Sequence, residues 1–181
     1  MTRVLVATLA TTGLLALAGC GGNPQVAAYV GGSTSAINVQ VQQAKVDQIA
    51  KGIADATSDA YDTAVTFRAP VMQILIQAAL ANQVAKVAGI TVTDAQREAF
   101  YAQTELYPAL VKSPVTHDFM VNFADTNTIL TDAAAEAPMA QLVANTPIKV
   151  NPRYGTWDAK VGGLMEGSPG SLSDPAPIKQ G

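Results

Sequence analysis

The feature that most constrains the fold is an apolar stripe between Phe67 and Ala88. Its members recur at alternating steps of four and three residues, which places them on one face of an α-helix: Phe67, Val71, Ile74, Ala78, Ala81, Ala85 and Ala88. Met72, Leu75 and Ile76 make much of the remaining surface apolar as well. Pro70 fits a first helical turn, and Gly89 is placed to end the helix. Such a helix is either the centre of a core or the wall of a binding groove.

Helix signals also lie on both sides of the stripe. Before it, the hydroxyl side chains of residues 33–35 can cap a helix whose apolar positions recur at near-helical spacing: Val39, Val46, Ile49 and Ile53. After it, Thr93 and Gln96 form a capping-box pattern. This pattern predicts a helix that begins at Asp94, runs to about Glu105 and is broken near Pro108.

Two further helices follow. Ser113 and Pro114 repeat the start signal, and a second apolar stripe comes after them: Val115, Phe119, Phe123, Thr126 and Leu130. A last short helix fits Glu136 to Ala144. Only 6% of the residues are aromatic and 14% are charged, while alanine is very frequent. This composition indicates helices that pack through small side chains.

Short extended segments lie at the two ends of the helical block. Val26–Val30 precedes the turn Gly31-Gly32, and Thr146–Val150 and Tyr154–Trp157 follow the last helix. Pairing of the first and last strands would bring the ends of the domain together. The sequence therefore predicts a mostly α fold, a helical bundle with a small β-pairing, over residues 26–160, followed by a disordered tail over 161–181.

The first residues have the form of an export signal. Arg3 precedes 14 apolar or small residues, Val4–Leu17, a run shorter than the roughly 20 residues that span a membrane. The next residues, Leu17-Ala18-Gly19-Cys20, resemble the lipobox of bacterial lipoproteins. We therefore expect residues 1–19 to be a signal peptide, Cys20 to be lipidated, and residues 20–25 to tether the domain to the extracytoplasmic face of a bacterial membrane. An ordinary signal peptide with a small buried cysteine is the alternative.

The composition and charge of the chain argue against most other functions. Cys20 is the only cysteine and His117 the only histidine, so neither a disulfide nor a metal site is expected. A net charge of −3 without a basic cluster argues against nucleic acid. Three carboxylates at Asp55, Asp59 and Asp62 fit a solvated surface. No G-x-S-x-G or phosphate loop occurs, so we expect no enzyme activity and no cofactor.

Three stretches resemble the SurA and PrsA chaperone family. VAAYVGGSTSAINVQVQQAKVDQIAK, residues 26–51, resembles its opening strand, glycine turn and helix start. LIQAALANQVAKVAGITVTDAQRE, residues 75–98, resembles its central helix and the following cap. VNPRYGTWD, residues 150–158, resembles the closing strand of short actinobacterial lipoproteins with this N-terminal domain. The chain is too short to hold the parvulin isomerase domain of larger relatives beside the helical block.

The resemblance implies a function in the cell envelope. It implies a SurA N-terminal-domain-like chaperone or holdase whose partners are unfolded or nascent exported proteins. Clients are expected to bind a groove around the central helix, with Phe67, Val71, Ile74 and Leu75 as the contact residues. The alternative is a non-catalytic envelope protein that docks one specific partner. Both functions use the same lipid anchor.

Overall fold

The computed structural model describes residues 23–57 and 62–165. Within these ranges the helices are α1 (Gln43–Ala56), α2 (Asp62–Ala88), α3 (Asp94–Tyr101), α4 (Leu106–Lys112), α5 (His117–Thr131) and α6 (Glu136–Asn145). The strands are β1 (Val26–Gly31), β2 (Asn38–Gln42), β3 (Ile148–Val150), β4 (Thr156–Asp158) and β5 (Gly163–Met165). The predicted mostly α fold class, with a small sheet built from both ends of the domain, is confirmed.

The two strands that flank the helical block pair as expected. β1 is the middle strand of a three-stranded antiparallel sheet in the order β2-β1-β3. Val30 lies opposite Ile148, and Ala28 lies opposite Val150. The ladder continues past β3, because the backbone N–H of Gly31 donates to the Pro147 carbonyl over 2.8 Å. The two ends of the domain are therefore joined by β1.

The segment after the glycine turn differs from the prediction. Residues 38–42 form β2 rather than the start of a helix, and Val39 lies opposite Val30 with 39% of its surface exposed. Val39 and Val41 share one face at the period of a strand, and their branched side chains favour it. The Ser35 hydroxyl accepts from the Ile37 N–H instead of capping a helix. α1 begins after Gln42, and its apolar face from Val46 onward is buried as predicted.

The turn into β2 depends on glycine. Gly31 has a φ of +78°, a conformation that side-chain-bearing residues rarely adopt. A Cβ atom at this position would also overlap the carbonyl group of Ile37. The Gly32 N–H closes the turn by donating to that same carbonyl over 3.0 Å. The hairpin therefore requires glycine at position 31.

The helix that carries the central stripe is the core helix, but its buried face does not coincide with the stripe. α2 packs against α1, α5 and α6, and its largest fully buried side chains are Val71, Met72, Ile76, Leu80 and Val84, of which only Val71 belongs to the predicted stripe. Within the described ranges Val65–Ala88 is the one helical segment long and apolar enough to cross a membrane, by length and composition only. Of the most apolar window in this segment, 39% is buried inside the domain.

The position of Pro70 in α2 differs from the prediction. The helix begins at Asp62, so Pro70 lies in its interior rather than in its first turn. Proline lacks the N–H that would bond to the carbonyl one turn earlier, at Thr66. Thr66 and Pro70 are both exposed, so water can reach the unpaired carbonyl. This exposure lets the helix continue through the proline.

The helices after α2 follow the capping signals. The Thr93 hydroxyl accepts from the Gln96 N–H, and the Gln96 side chain accepts from the Thr93 N–H, which completes the predicted box. α3 ends at Tyr101, four residues before the expected Glu105. Pro108 does not break a helix but lies in the first turn of α4, where its missing N–H has no intrahelical partner to lose.

The start and the stripe of α5 also differ in detail. The Ser113 carbonyl accepts from the N–H groups of Thr116 and His117, so a turn precedes the helix and α5 begins at His117. Leu130, the last member of the predicted stripe, is 42% exposed, while Ile129 is buried in its place. At this end of α5 the buried face is therefore shifted by one residue from the predicted face.

A second, two-stranded sheet extends into the segment predicted to be tail, because β5 lies there while β4 falls on the extended segment predicted at Tyr154–Trp157. β4 pairs with β5, with Trp157 opposite Leu164. The Gln77 side chain on α2 donates to the Gly162 carbonyl over 3.1 Å. Contact with α2 therefore orders residues 161–165, which composition alone assigned to the tail. Residues 166–181 lie outside the described part of the chain.

Candidate functional site

The four residues predicted to contact clients are spread between the core and its margin. Val71 is 1% exposed and lies in the core, so it cannot touch a client while α2 is packed. Phe67, Ile74 and Leu75 are half-buried and pack against that core. The prediction of a groove along this face of α2 is therefore wrong for Val71, because the neighbouring helices cover it.

Of the four, Ile74 lines an open depression. This depression has a volume of about 340 Å³ and lies between α2 and β5. Its other walls include Pro70, Gln73 and Tyr154.

A larger groove lies elsewhere, between α6 and the turn that joins β4 to β5. Its volume is about 570 Å³, and residues 130–133, 135–136, 139–140, 143–144 and 159–162 line it. One wall is the end of α5 with the 3₁₀ turn Ala133–Ala135, the second is α6, and the third is the turn between β4 and β5. We call it the α6 groove.

The walls of the α6 groove carry exposed aliphatic side chains. Leu130, 42% exposed, stands on the α5 wall, and Val161, 66% exposed, stands on the turn. Met139 and Val143 are half-buried on α6. The remaining apolar lining consists of alanines, whose short side chains leave the space open. The groove can therefore take up aliphatic side chains from a ligand, and methionine can adapt its shape to them.

The turn wall is held by polar contacts rather than by a core of its own. The Lys160 N–H donates to the Asp158 carboxylate over 2.7 Å, which fixes the start of the turn. Gly162 at its end has a φ of +62°, and its carbonyl accepts from Gln77 over 3.1 Å. Val161 is thereby held out into the groove.

The α6 wall lies at the margin of the domain. None of its residues is fully buried. Its half-buried Met139 and Leu142 pack against the main core and also against a small cluster that includes Ala81, Ile129 and Ala135. A helix without a fully buried residue opens more easily than one at the centre of the core. The groove therefore has one wall that is held less firmly than α2.

Charged groups stand at the rim of the groove. Asp132 and Glu136 lie on the side of α5 and α6, and Lys160 lies on the turn. All three are exposed. Asp132 also accepts from the Ala134 N–H over 2.8 Å and so caps the 3₁₀ turn. These charges are solvated, and the apolar surface between them is the part that a ligand would cover.

The other candidate residues lie apart from this groove. His117 is exposed at the start of α5, and its Nδ1 lies 2.8 Å from the carbonyl oxygen of Val111. Asp55 pairs with Lys51 on the surface of α1 over 2.6 Å, as expected for a solvated acid. Within residues 23–57 and 62–165 no group of three or more His, Cys, Asp or Glu is placed to hold a metal ion. Cys20 and Asp59 lie outside the described residues.

Sequence patterns gave little sign of the α6 groove. Its lining comes from three separate elements, and its opening depends on how α6 sits on α2. The available signal was the alanine content of residues 133–144, together with Val161 next to two glycines. Small residues on a short helix and an apolar residue in a turn are each common in ordinary proteins.

Comparison with protein-family models, with curated proteins and with solved structures gives no match for the chain.

Proposed function

We propose that the protein is an extracytoplasmic, lipid-anchored holdase that binds exposed apolar segments of unfolded or partly folded polypeptides in the α6 groove. The observation that carries the proposal is the pair of exposed aliphatic side chains, Leu130 and Val161, on two different walls of an open groove. The resemblance of the sequence to SurA and PrsA chaperones gives the client class. The lipobox at Cys20 gives the location.

The chemistry of the groove suits a sequence-tolerant ligand. Its lining is aliphatic and small, and the rim charges are exposed, so contact rests on burial of apolar area rather than on fixed polar partners. Ordering a flexible client offsets much of the gain from that burial. We therefore expect micromolar affinity and rapid release, which is what a holdase requires.

The test compares two exposed valines. Val161 lies in the groove and is 66% exposed, whereas Val87 lies on α2 outside the groove lining and is 69% exposed. The full chain, reconstituted in lipid vesicles, is mixed with denatured client proteins, and their aggregation is followed by light scattering. Val161→Gln removes apolar contact worth about 1 kcal/mol, so the client affinity should fall about fivefold. Val87→Gln should leave it unchanged.

Two outcomes would contradict the proposal. In the first, the vesicle-bound chain fails to slow aggregation of any client. In the second, Val161→Gln and Val87→Gln behave alike. If the chain also captures a single stoichiometric partner from envelope extracts, the alternative function, docking of one specific partner, takes its place.

A further inference from the structure

We propose that the outer edge of β2 pairs with β2 of a second copy of this chain, in antiparallel register about Gln40, to form a two-fold symmetric dimer. Among the described strands, β2 pairs with β1 alone, so its other edge faces no strand. Four of its five residues are exposed. This proposal concerns assembly and does not depend on the α6 groove or on client binding.

The hydrogen-bond pattern shows which backbone groups are unpaired. The Gly32 N–H donates to the Ile37 carbonyl over 3.0 Å, and the same register places Val39 opposite Val30. Hydrogen-bonded pairs alternate along an antiparallel ladder, so Val39 turns its N–H and C=O toward β1. Asn38 and Gln40 therefore turn theirs outward, to the open edge. An open row of this kind is a template for another strand.

The edge lacks the features that usually prevent such pairing. Monomeric proteins protect their edge strands with lysine, proline or a bulge in the edge strand. β2 has the sequence NVQVQ, and no charged residue occurs from Asn23 to Ala44. The bulge in this ladder falls on the central strand, between Val26 and Ala28. The opposite edge strand, β3, carries the exposed Lys149 and follows Pro147.

The strand is chemically complementary to itself. In a pairing centred on Gln40, the amide side chains on one face meet each other, because Asn38 lies opposite Gln42 of the second copy. Amides carry both donors and acceptors, so like residues can bond. On the other face Val39, 39% exposed, meets Val41 of the second copy and becomes covered. Because β2 has no charged residue, pairing with a second copy places no like charges opposite each other. This favours a second copy over other occupants.

The decisive experiment exchanges charges at the symmetry axis. The full chain in non-ionic detergent micelles is measured by light scattering, and the wild type should double its protein mass as its concentration rises. Gln40→Lys and Gln40→Glu should each stay monomeric, because like charges meet across the axis. A mixture of the two variants should recover the dimer. Gln103→Lys, at an exposed site after α3, should dimerise like the wild type.

Crosslinking tests the register. Cα atoms of a hydrogen-bonded antiparallel pair lie about 5.5 Å apart, within the range that a disulfide can bridge. In a Cys20→Ser background, Gln40→Cys should form a disulfide-linked dimer on mild oxidation, whereas Gln103→Cys should form little. A wild type that stays monomeric at all concentrations, or mixed charge variants that do not pair, would overturn the proposal. So would a monomeric wild type in which Gln40→Lys weakens client binding, since the edge would then pair with clients.

Discussion

The hydroxyl of Tyr101 is buried in the aromatic cluster where α3, α4 and α5 meet. The Tyr101 ring lies 6.1 Å from that of Phe100, which in turn stacks on Tyr107 at 5.2 Å. Within the described part of the chain the hydroxyl has no hydrogen-bond partner. Burial raises the pKa of Tyr101 above its usual 10.0, although the charge of Arg97 opposes that shift. Burial, and then the charge of Asp47, raise the pKa of Tyr154 as well.

These shifts predict a loss of stability at alkaline pH. Above pH 10 the unfolded chain releases phenol protons that the folded chain still holds, so the free energy of unfolding falls as pH rises through this range. The slope is at most about 1.4 kcal/mol per pH unit for each tyrosine. Tyr101→Phe and Tyr154→Phe should each make this fall in the free energy of unfolding with pH less steep. Urea unfolding between pH 8 and about 11.5 measures the effect.

The neutral-pH values of the same series provide the check. Because the Tyr101 hydroxyl is buried without a partner, Tyr101→Phe should leave the free energy of unfolding at pH 7 unchanged or raised. A clear loss of stability at pH 7 would show that the Tyr101 hydroxyl makes a favourable contact in the folded chain. An alkaline slope unaltered in both variants would show that these two phenols do not cause it.

A residue-scale prediction also concerns the anchor. If Cys20 carries the lipid, Cys20→Ala should abolish incorporation of labelled fatty acid and leave the chain unprocessed. Gly22→Ala, two residues further on, should be labelled normally. Labelling followed by electrophoresis of membrane fractions measures both. Retention of fatty-acid label in Cys20→Ala would exclude this site.

At the scale of elements, α2 and α6 should differ most in local stability. α2 contributes Met72, Ile76 and Leu80 to the core, whereas α6 has no fully buried residue. Amide hydrogen exchange should therefore be faster in α6, because none of its residues is fully buried and its opening exposes less of the core than opening of α2. If the α6 groove binds apolar segments, a saturating aliphatic peptide should slow exchange in α6 more than in α2. Equal protection of the two helices in the free protein would contradict this interpretation of the packing.

The sequence patterns predicted where the helices lie better than which of their faces are buried. Local signals gave the capping box at Thr93 and the limits of α6 almost to the residue, because these depend on neighbours in the chain. Val39 and Leu130 were placed on helix faces by spacing alone, and the structure exposes both. β5 could not be predicted because it packs against α2, a helix distant in sequence, whose Gln77 donates to Gly162 just before the strand. The α6 groove depends on packing in the same way.

At the scale of the molecule, the β1–β3 ladder holds the two ends of the domain together. The N–H of Asn151 donates to the Ala27 carbonyl at one end of this ladder, over 2.8 Å, and the N–H of Gly31 donates to the Pro147 carbonyl at the other. Lys149 lies between these two bonds, opposite Tyr29. Lys149→Pro removes the donor at this position and should lower the free energy of unfolding by about 1–3 kcal/mol. Lys149→Thr keeps the donor and should change stability little. Thermal unfolding of both variants measures the difference, and equal stabilities would show that the ladder contributes little.

The central position of β1 also sets the order in which the domain can assemble. This strand is the first described element of the chain, yet one of its two partners begins at Ile148. During synthesis, α1 through α6 all emerge before that partner does. Completion of the sheet must therefore wait until almost the whole domain has been made, and closing so long a loop slows folding. Until then the β3 side of β1 remains an open strand edge, which is a template for wrong pairing with other chains.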